Sequence, residues 1–311
     1  MTFVVEDPGP LTTVQDLGRA GQYASGVPTG GAMDRFALAA ANLLVGNPED
    51  AAALECTLAG PALIARQGCL VAITGADFAP LRNGRPVPTW TSLFLAEGDR
   101  LSFEGRRWGA RAYIAVGGGF AAQRWLGSAS TYLLVGRGGI EGRQLRSADT
   151  LELASASQLP AVAGRQVLER DRPCYSNEPV LRVVKGPHDR RLGAAGRKAF
   201  YQSQWYVSRD ADRMGYRLEG PLLDISVPGL VSFGLAFGCV QVPPSGQPIV
   251  LMADHQTAGG YPVVGAIARA DWPLAAQLLP GERLRFRESS IEAGQDAWRG
   301  QRSVLDTLKP L

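Results

Sequence analysis

The sequence predicts a mainly β fold with a few short helices, and three observations carry that expectation. Gly and Pro are frequent, 38 and 21 of 311 residues, and such punctuation favours short strands joined by tight turns over long helices. Short segments with strand-like alternation follow one another along most of the chain. A short pattern also recurs, LAEGDRLSF at 95–103, LLPGERLRF at 278–286 and, more loosely, SADTLEL at 147–153. In each copy an acidic turn leads into Leu-x-Phe or Leu-x-Leu, the period-2 signature of a strand with one buried face.

Strands are expected at 70–74, 93–95, 111–116, 181–184, 205–208 and 283–287, with a buried strand pair in the apolar stretch 229–242. That stretch is shorter than the ~20 residues needed to span a bilayer and contains three glycines. The spacing predicts a helix over 33–45, with Phe36, Ala40, Leu43 and Leu44 on one face and Gly46-Asn47-Pro48 as its stop. A second is expected over 271–279 with Asp271 as cap, and a third over 189–202, weakened by Gly193 and Gly196. Residues 155–180 have no sustained period and carry Pro160, Gly164, Pro173 and Pro179. The expected organisation is therefore an N-terminal β-rich half, 1–165, a C-terminal β-barrel half, 175–290, and a polar tail, 291–311, that docks a short helix or stays loose.

Hydrophobic residues make 45% and charged residues 20% of the chain, as in ordinary globular proteins. With 32 basic and 29 acidic residues, a net charge of +3 gives no nucleic-acid footprint. The N-terminus, MTFVVEDPGPL, has no basic region ahead of an apolar run, so nothing points to export and a cytoplasmic protein is expected. Cys56, Cys69, Cys174 and Cys239 lack CxxC spacing and read as buried reduced thiols. Two histidines, His188 and His255, and the absence of zinc spacing give no material for a metal site.

No P-loop or GxSxG elbow occurs. The glycine runs 117–119 and 136–142 miss the GxGxxG spacing and read as turns or bulges. What remains is a set of polar clusters in Gly/Pro turns: TTVQDLGRAG (12–21), GVPTGGAMD (26–34), GSAST (127–131), DRMGYRL (212–218) and QVPPSGQPIVLMADHQTAGGYP (241–262). The last places a short apolar strand before Asp254, His255, Gln256 and Thr257, and Gly259-Gly260 lets backbone approach whatever those groups hold. Side-chain amides and hydroxyls both donate and accept hydrogen bonds, which suits a small molecule with amide-like groups. Arginine adds a bidentate contact to carboxylate or phosphate. Asp16 with Arg19, and Asp212 with Arg213, read either as ligand contacts or as internal ion pairs pinning turns. Asp34 reads either as an active-site acid or as a helix cap.

These five motifs, in this order and with ANLLVGNPEDAAALE (41–55) after the second, resemble the family of 5-oxoprolinase C subunits. The family is also described as allophanate hydrolase subunit 2 or the Kip antagonist, and is related to the carboxyltransferase portion of urea carboxylase. The resemblance covers residues 3 to about 288. It implies a cyclophilin-like β-barrel architecture in two related halves. It also implies work with the B subunit of 5-oxoprolinase, a Kip inhibitor-like protein, and with its A subunit, together opening 5-oxoproline to L-glutamate with ATP. Two other activities stay open: a biotin-dependent carboxyltransferase acting on urea or a related amide, and a non-catalytic antagonist of a Kip-type kinase inhibitor. The chain has no biotin-attachment segment of its own.

5-Oxoproline, urea and the ureido ring of biotin all present a planar N–C=O unit, which needs an oxyanion donor and an N–H acceptor. On the resemblance, Asp254, Gln256 and Asp34 are the catalytic candidates. Gln241, Gln247, Thr257, Gly259, Gly260, Tyr261, Asp16, Arg19, Ser128, Ser130, Thr131, Asp212 and Arg213 are the substrate-binding candidates, with Arg19 or Arg213 on a carboxylate or phosphate. Three residues depart from the family pattern: Ala129 stands where Arg is common, Gly30 where Ser is common, and Phe233 at a usually acidic position.

Overall fold

The structure is a computed structural model that describes residues 2–156, 163–225 and 229–309. Residues 157–162, inside the expected interdomain stretch, lie outside the described residues. The chain divides into two compact units: one takes the described residues within 1–19, 30–172 and 303–311, the other those within 20–29 and 173–302.

The first unit contains strands β1 (Phe3–Asp7), β2 (Leu11–Gln15), β3 (Ala53–Thr57), β4 (Ala62–Ala65), β5 (Cys69–Asp77) and β6 (Pro80–Arg82). It continues with β7 (Arg85–Pro86), β8 (Ser92–Leu95), β9 (Arg100–Phe103), β10 (Trp108–Val116) and β11 (Thr150–Leu151). They form a six-stranded sheet, β11-β1-β4-β9-β6-β7, and a five-stranded sheet, β2-β3-β10-β5-β8. Inward residues of both sheets, among them Phe3, Val5, Leu54, Leu63, Ile73, Leu101 and Ile114, share one core. The register between β5 and β10 shifts between Trp108 and Ala112. Gly75 fits that bulge: its φ is +79°, and a Cβ there would sit 2.5 Å from the Arg111 carbonyl oxygen.

Helix α1 (Arg35–Leu44) packs on β5 and β10. Nine of its ten residues are buried, so it is apolar nearly all round rather than on the single face expected from spacing. Asp34 caps it, accepting from the Ala37 N–H at 2.9 Å. Asn42 is buried within it without loss because its amide donates to the Ala51 carbonyl and accepts from Asn47.

The second unit holds β12 (Val180–Lys185), β13 (Trp205–Val207), β14 (Gly215–Glu219), β15 (Phe233–Gly234) and β16 (Cys239–Gln241). After these come β17 (Ile249–Leu251), β18 (Ala258–Gly259), β19 (Val263–Ile267) and β20 (Arg283–Ser289). Seven of them close a barrel, β12-β19-β16-β17-β14-β13-β20, in which β12 and β20 run parallel. Alternation is clean on β14, where Tyr216 and Leu218 are buried inside while Arg217 and Glu219 are exposed. The stretch 229–242 is not a strand pair: β15 pairs with β18, and β16 pairs with β17 and β19. Nor is it uniformly buried, since Val231 is 86% exposed.

Helices α2 (Ala194–Gln202) and α3 (Trp272–Ala276) are shorter than the spacing predicts, each preceded by a single 3-10 turn, and α2 starts only after Gly193. Asp271 does not cap α3 through its side chain. It is buried and takes three hydrogen bonds from Arg182: the backbone N–H at 2.6 Å, Nε at 3.0 Å and Nη2 at 2.5 Å. The tail forms α4 (Ile291–Thr307), a helix of 17 residues. Among the described residues, no helix is long and apolar enough to cross a membrane. Cys56 and Cys69 are buried, and burial raises both thiol pKa values, that of Cys69 to about 12. Cys174 is exposed, against expectation, because it lies in the irregular segment before β12.

The recurring short pattern has a common physical basis. In each copy the acidic residue closes a turn through its backbone N–H, Asp99 to the Ala96 carbonyl, Asp149 to Arg146 and Glu282 to Leu279. Its carboxylate then accepts from the backbone N–H three residues earlier, at 2.7, 2.7 and 2.9 Å respectively. The strand that follows buries alternate residues, Leu101, Leu151, Leu284 and Phe286 among them.

Candidate functional site

The sequence-predicted residues fall into two groups, one in each unit. In the first unit Asp16 is the centre of a buried hydrogen-bond network. Its Oδ1 accepts from Ser128 Oγ at 2.6 Å, Ser130 Oγ at 2.5 Å and the Gly18 N–H at 2.8 Å, and its Oδ2 accepts from the Ala129 N–H at 2.6 Å. Thr131 hydroxyl and N–H both donate to the Val14 carbonyl. Arg19, 1% exposed, donates from Nη2 to the Ser130 carbonyl at 2.6 Å and lies over the rings of Trp125 and Tyr132.

This network locks residues 128–131 onto the end of β2, and the glycine run 136–142 supplies its backing. A Cβ on Gly138 would lie 2.2 Å from the Ser130 carbonyl oxygen, and one on Gly139 would lie 2.0 Å from Thr131 Oγ1. Both glycines have positive φ, +73° and +60°. The run is thus a packing surface for the GSAST turn and not a phosphate cradle. Asp34 is wholly buried and acts as the α1 cap, the alternative that the sequence offers. Beside it, Tyr113 Oη accepts from the Asp34 N–H and donates to Glu55 Oε2 at 2.7 Å, and Glu55 also accepts from the Met33 N–H. Burial, then the Glu55 and Asp34 charges, raise the Tyr113 pKa well above its usual value. Glu55 lies within the recognised ALE stretch, but no local pattern marks it as the acceptor for residues 33 and 113.

In the second unit the outer face of β14, β17 and β16 floors a cavity of about 480 Å³. The register places Gly215 beside Leu251, and Arg217 and Gln241 on either side of Ile249. Gly215 lowers the floor, since a Cβ there would sit 3.1 Å from the Val250 carbonyl oxygen. Pro243, Pro244, Ser245 and Tyr261 form walls, and Gln256, Asp210, Asp212 and Met214 complete the lining.

Two side-chain amides meet there. Gln256 Nε2 donates to Gln241 Oε1 at 3.2 Å, and Gln241 Nε2 donates to the Tyr261 carbonyl at 3.3 Å. Gln256 thereby keeps its Oε1 acceptor and its second N–H for another molecule. Gly259 makes the close approach possible: a Cβ on it would come within 3.3 Å of Gln241 Nε2 and 3.0 Å of Leu235. Gly260 lies against the Leu230 carbonyl, and Gly259 is laddered to Phe233. Phe233 tilts against the His188 ring with centroids 4.9 Å apart.

Of the remaining candidates in this unit, Asp212 lines the cavity and Asp254, Arg213, Gln247 and Thr257 do not. Asp254 pairs with Arg213, Nε to Oδ2 at 2.7 Å and Nη2 to Oδ1 at 3.3 Å, while its N–H donates to the Arg213 carbonyl. The arginine's ion pair is therefore with Asp254, and Asp212 closes its own turn by accepting from the Met214 and Gly215 N–H groups. Gln247 pairs both its amide atoms with the backbone N–H and carbonyl of Gly220. Thr257 contributes its carbonyl to the Leu235 N–H.

A further pair went unassigned in the sequence. His255 is buried with Nδ1 2.6 Å from the Gln256 carbonyl and Nε2 3.1 Å from Tyr23 Oη. A carbonyl only accepts, so Nδ1 carries a hydrogen, and in the neutral ring Nε2 accepts the hydrogen bond that the Tyr23 hydroxyl donates. This contact ties the GQYASG turn to the backbone of Gln256. Among the described residues, no three His, Cys, Asp or Glu side chains group as a metal site.

A family profile described as "Carboxyltransferase domain, subdomain A and B" matches residues 25–288. The C subunit of 5-oxoprolinase from Escherichia coli is 39% identical over 303 residues, covering 96% of this chain and 95% of that protein. Its counterpart from Haemophilus influenzae is 35% identical over 96% of this chain and 94% of its own length. The crystal structure of the Kluyveromyces lactis urea carboxylase superposes with a TM-score of 0.92 at 28% identity, over 99% of this chain but only 29% of that one. The chain belongs to the carboxyltransferase-domain family, in the group that contains the 5-oxoprolinase C subunits.

Proposed function

We propose that this chain is part of an ATP-dependent 5-oxoprolinase that opens the lactam of 5-oxoproline to L-glutamate, acting in the cytoplasm with the A and B subunits of that enzyme. The observation that carries the reading is the Gln241–Gln256 amide pair on the 480 Å³ cavity. The free N–H of Gln256 meets the lactam carbonyl oxygen, and its Oε1 accepts the lactam N–H, so one side chain reads both edges of a planar N–C=O unit. Donors fixed toward that oxygen favour the charge that builds when water adds to the carbon. The C–N bond then breaks, a proton of the added water passing to the nitrogen that becomes the amino group of glutamate, and a second water releases the activating phosphoryl group from the carboxyl oxygen as inorganic phosphate. Asp254, paired with Arg213, positions the turn that presents Gln256, and the Tyr23–His255 contact holds it from the other side.

ATP supplies the activation of the carbonyl oxygen by phosphoryl transfer. Gly138 and Gly139 pack against Ser130 and Thr131, so no phosphoryl-transfer step is assigned to the 136–142 run. The likeness to urea carboxylase favours a second reading, carboxyl transfer from carboxybiotin to a urea-like amide held at the same pair. Co-expression with the A and B subunits, followed by an assay of 5-oxoproline-dependent ATP hydrolysis and glutamate release, separates them. The first reading expects glutamate only from the complete assembly. An assembled complex that releases no more glutamate than a control lacking this chain overturns it, and biotin-dependent carboxylation of urea by that complex supports the second.

A further inference from the structure

We infer that Arg217 is the residue that recognises the substrate's carboxylate, and hence that the cavity takes a lactam acid rather than a bare amide. The inference rests on the reading of the cavity as an amide site. The two arginines to which the sequence assigns that contact are both committed elsewhere. Arg213 is spent on Asp254, and Arg19 is buried, donating to the Ser130 carbonyl. Arg217 differs from both. It projects from the outer face of β14 into the lining of the cavity that Gln241 and Gln256 also line. Its guanidinium makes no hydrogen bond or ion pair with another described residue.

Register explains why the position is suited to the task. Arg217 sits beside Ile249, whose other neighbour is Gln241, so the cation and the amide pair flank one apolar floor residue. A ligand lying across Ile249 can present a planar amide at one end and an anion at the other. A guanidinium binds a carboxylate through two parallel N–H donors, a planar match that an ammonium group does not offer. Asp210 and Asp212 line the same cavity. Their charges oppose a doubly charged phosphate more than a carboxylate with one charge, because the repulsion scales with ligand charge. The arrangement therefore selects a monoanion.

The test compares two probes, 5-oxoproline and 2-pyrrolidinone, which share the lactam and differ by the carboxylate. Their affinities are measured by calorimetry on the full chain and on its complex with the A and B subunits, for wild type, Arg217→Ala, Arg217→Lys and Gln256→Ala. In wild type, 5-oxoproline is expected to bind at least tenfold tighter than 2-pyrrolidinone. Arg217→Ala collapses that ratio to about one, and Arg217→Lys restores it in part. Gln256→Ala weakens both probes and leaves the ratio high. A ratio unchanged in Arg217→Ala overturns the inference while leaving the amide site standing. Failure of both probes to bind either preparation overturns the amide reading and the inference with it. Inorganic phosphate that displaces 5-oxoproline more strongly than acetate does, and only when Arg217 is present, overturns the assignment to a carboxylate.

Discussion

Removing the Asp254 carboxylate should destabilise the barrel unit far more than an ordinary surface substitution. The Arg213 and Asp254 side chains are 12% and 9% exposed and meet through two contacts, 2.7 and 3.3 Å. Breaking a buried ion pair by deleting one partner leaves an uncompensated charge and costs about 3–5 kcal/mol. Residual exposure puts Asp254→Ala at the lower end, about 3 kcal/mol. With a urea slope of ~2–3 kcal/mol per molar, the unfolding midpoint falls by about 1–1.5 M. Asp254→Asn keeps one side-chain oxygen that can accept from the Arg213 guanidinium and loses about half as much. The double variant Arg213→Met/Asp254→Leu removes both charges and should return to within about 1 kcal/mol of wild type. Urea unfolding of the full chain gives the cycle, and hydrogen exchange over residues 212–216 and 250–257 locates it. A coupling energy below about 0.5 kcal/mol, or an Asp254→Ala midpoint equal to wild type, refutes the claim that this pair holds the turn presenting Gln256.

Two further outcomes are expected. Gly138→Ala should cost more than 2 kcal/mol in urea unfolding, because its Cβ would meet the Ser130 carbonyl at 2.2 Å, whereas Gly127→Ala meets nothing within 4 Å and costs only the ~1 kcal/mol of positive φ; equal losses would show that the glycine run is not packing-limited. His188 should titrate below its ordinary 6.5, since burial and then Arg191 disfavour its charged form, while the Val263 N–H donates to Nδ1. The unfolded chain then takes up this proton first, so the His188 contribution to stability is complete above pH 6.5 and is lost as pH falls from there through the folded pKa. An NMR titration midpoint at or above 6.5 contradicts this.

The sequence made the local chemistry readable wherever one segment carries its own reason. The turn acids Asp99, Asp149 and Glu282 each bond a backbone N–H three residues away, so the same short pattern recurs in all three. Helix α1 was legible from its cap and its stop, although its burial on every side depends on the sheet it packs against. Strand pairing in 229–242 was not legible, because β15 finds its partner in residues 258–259 and a period-2 run does not name its neighbour. The site was half readable for the same reason. Gln241 and Gln256 lie in one turn-rich segment and were found together. The Arg213–Asp254 pair joins residues 41 apart and Tyr23–His255 joins residues 232 apart, and no spacing rule links either. No local pattern marks Arg217, which only the register sets beside Ile249.

The central claim is that the Gln256 amide holds the planar N–C=O unit during turnover. The direct measurement is kcat/KM for 5-oxoproline-dependent glutamate release by the assembled complex carrying Gln256→Ala. Gln256 is exposed at the cavity, so the variant folds like wild type in urea unfolding. The account predicts a fall of more than tenfold, equivalent to at least ~1.4 kcal/mol of transition-state stabilisation. A wild-type kcat/KM in that complex contradicts it.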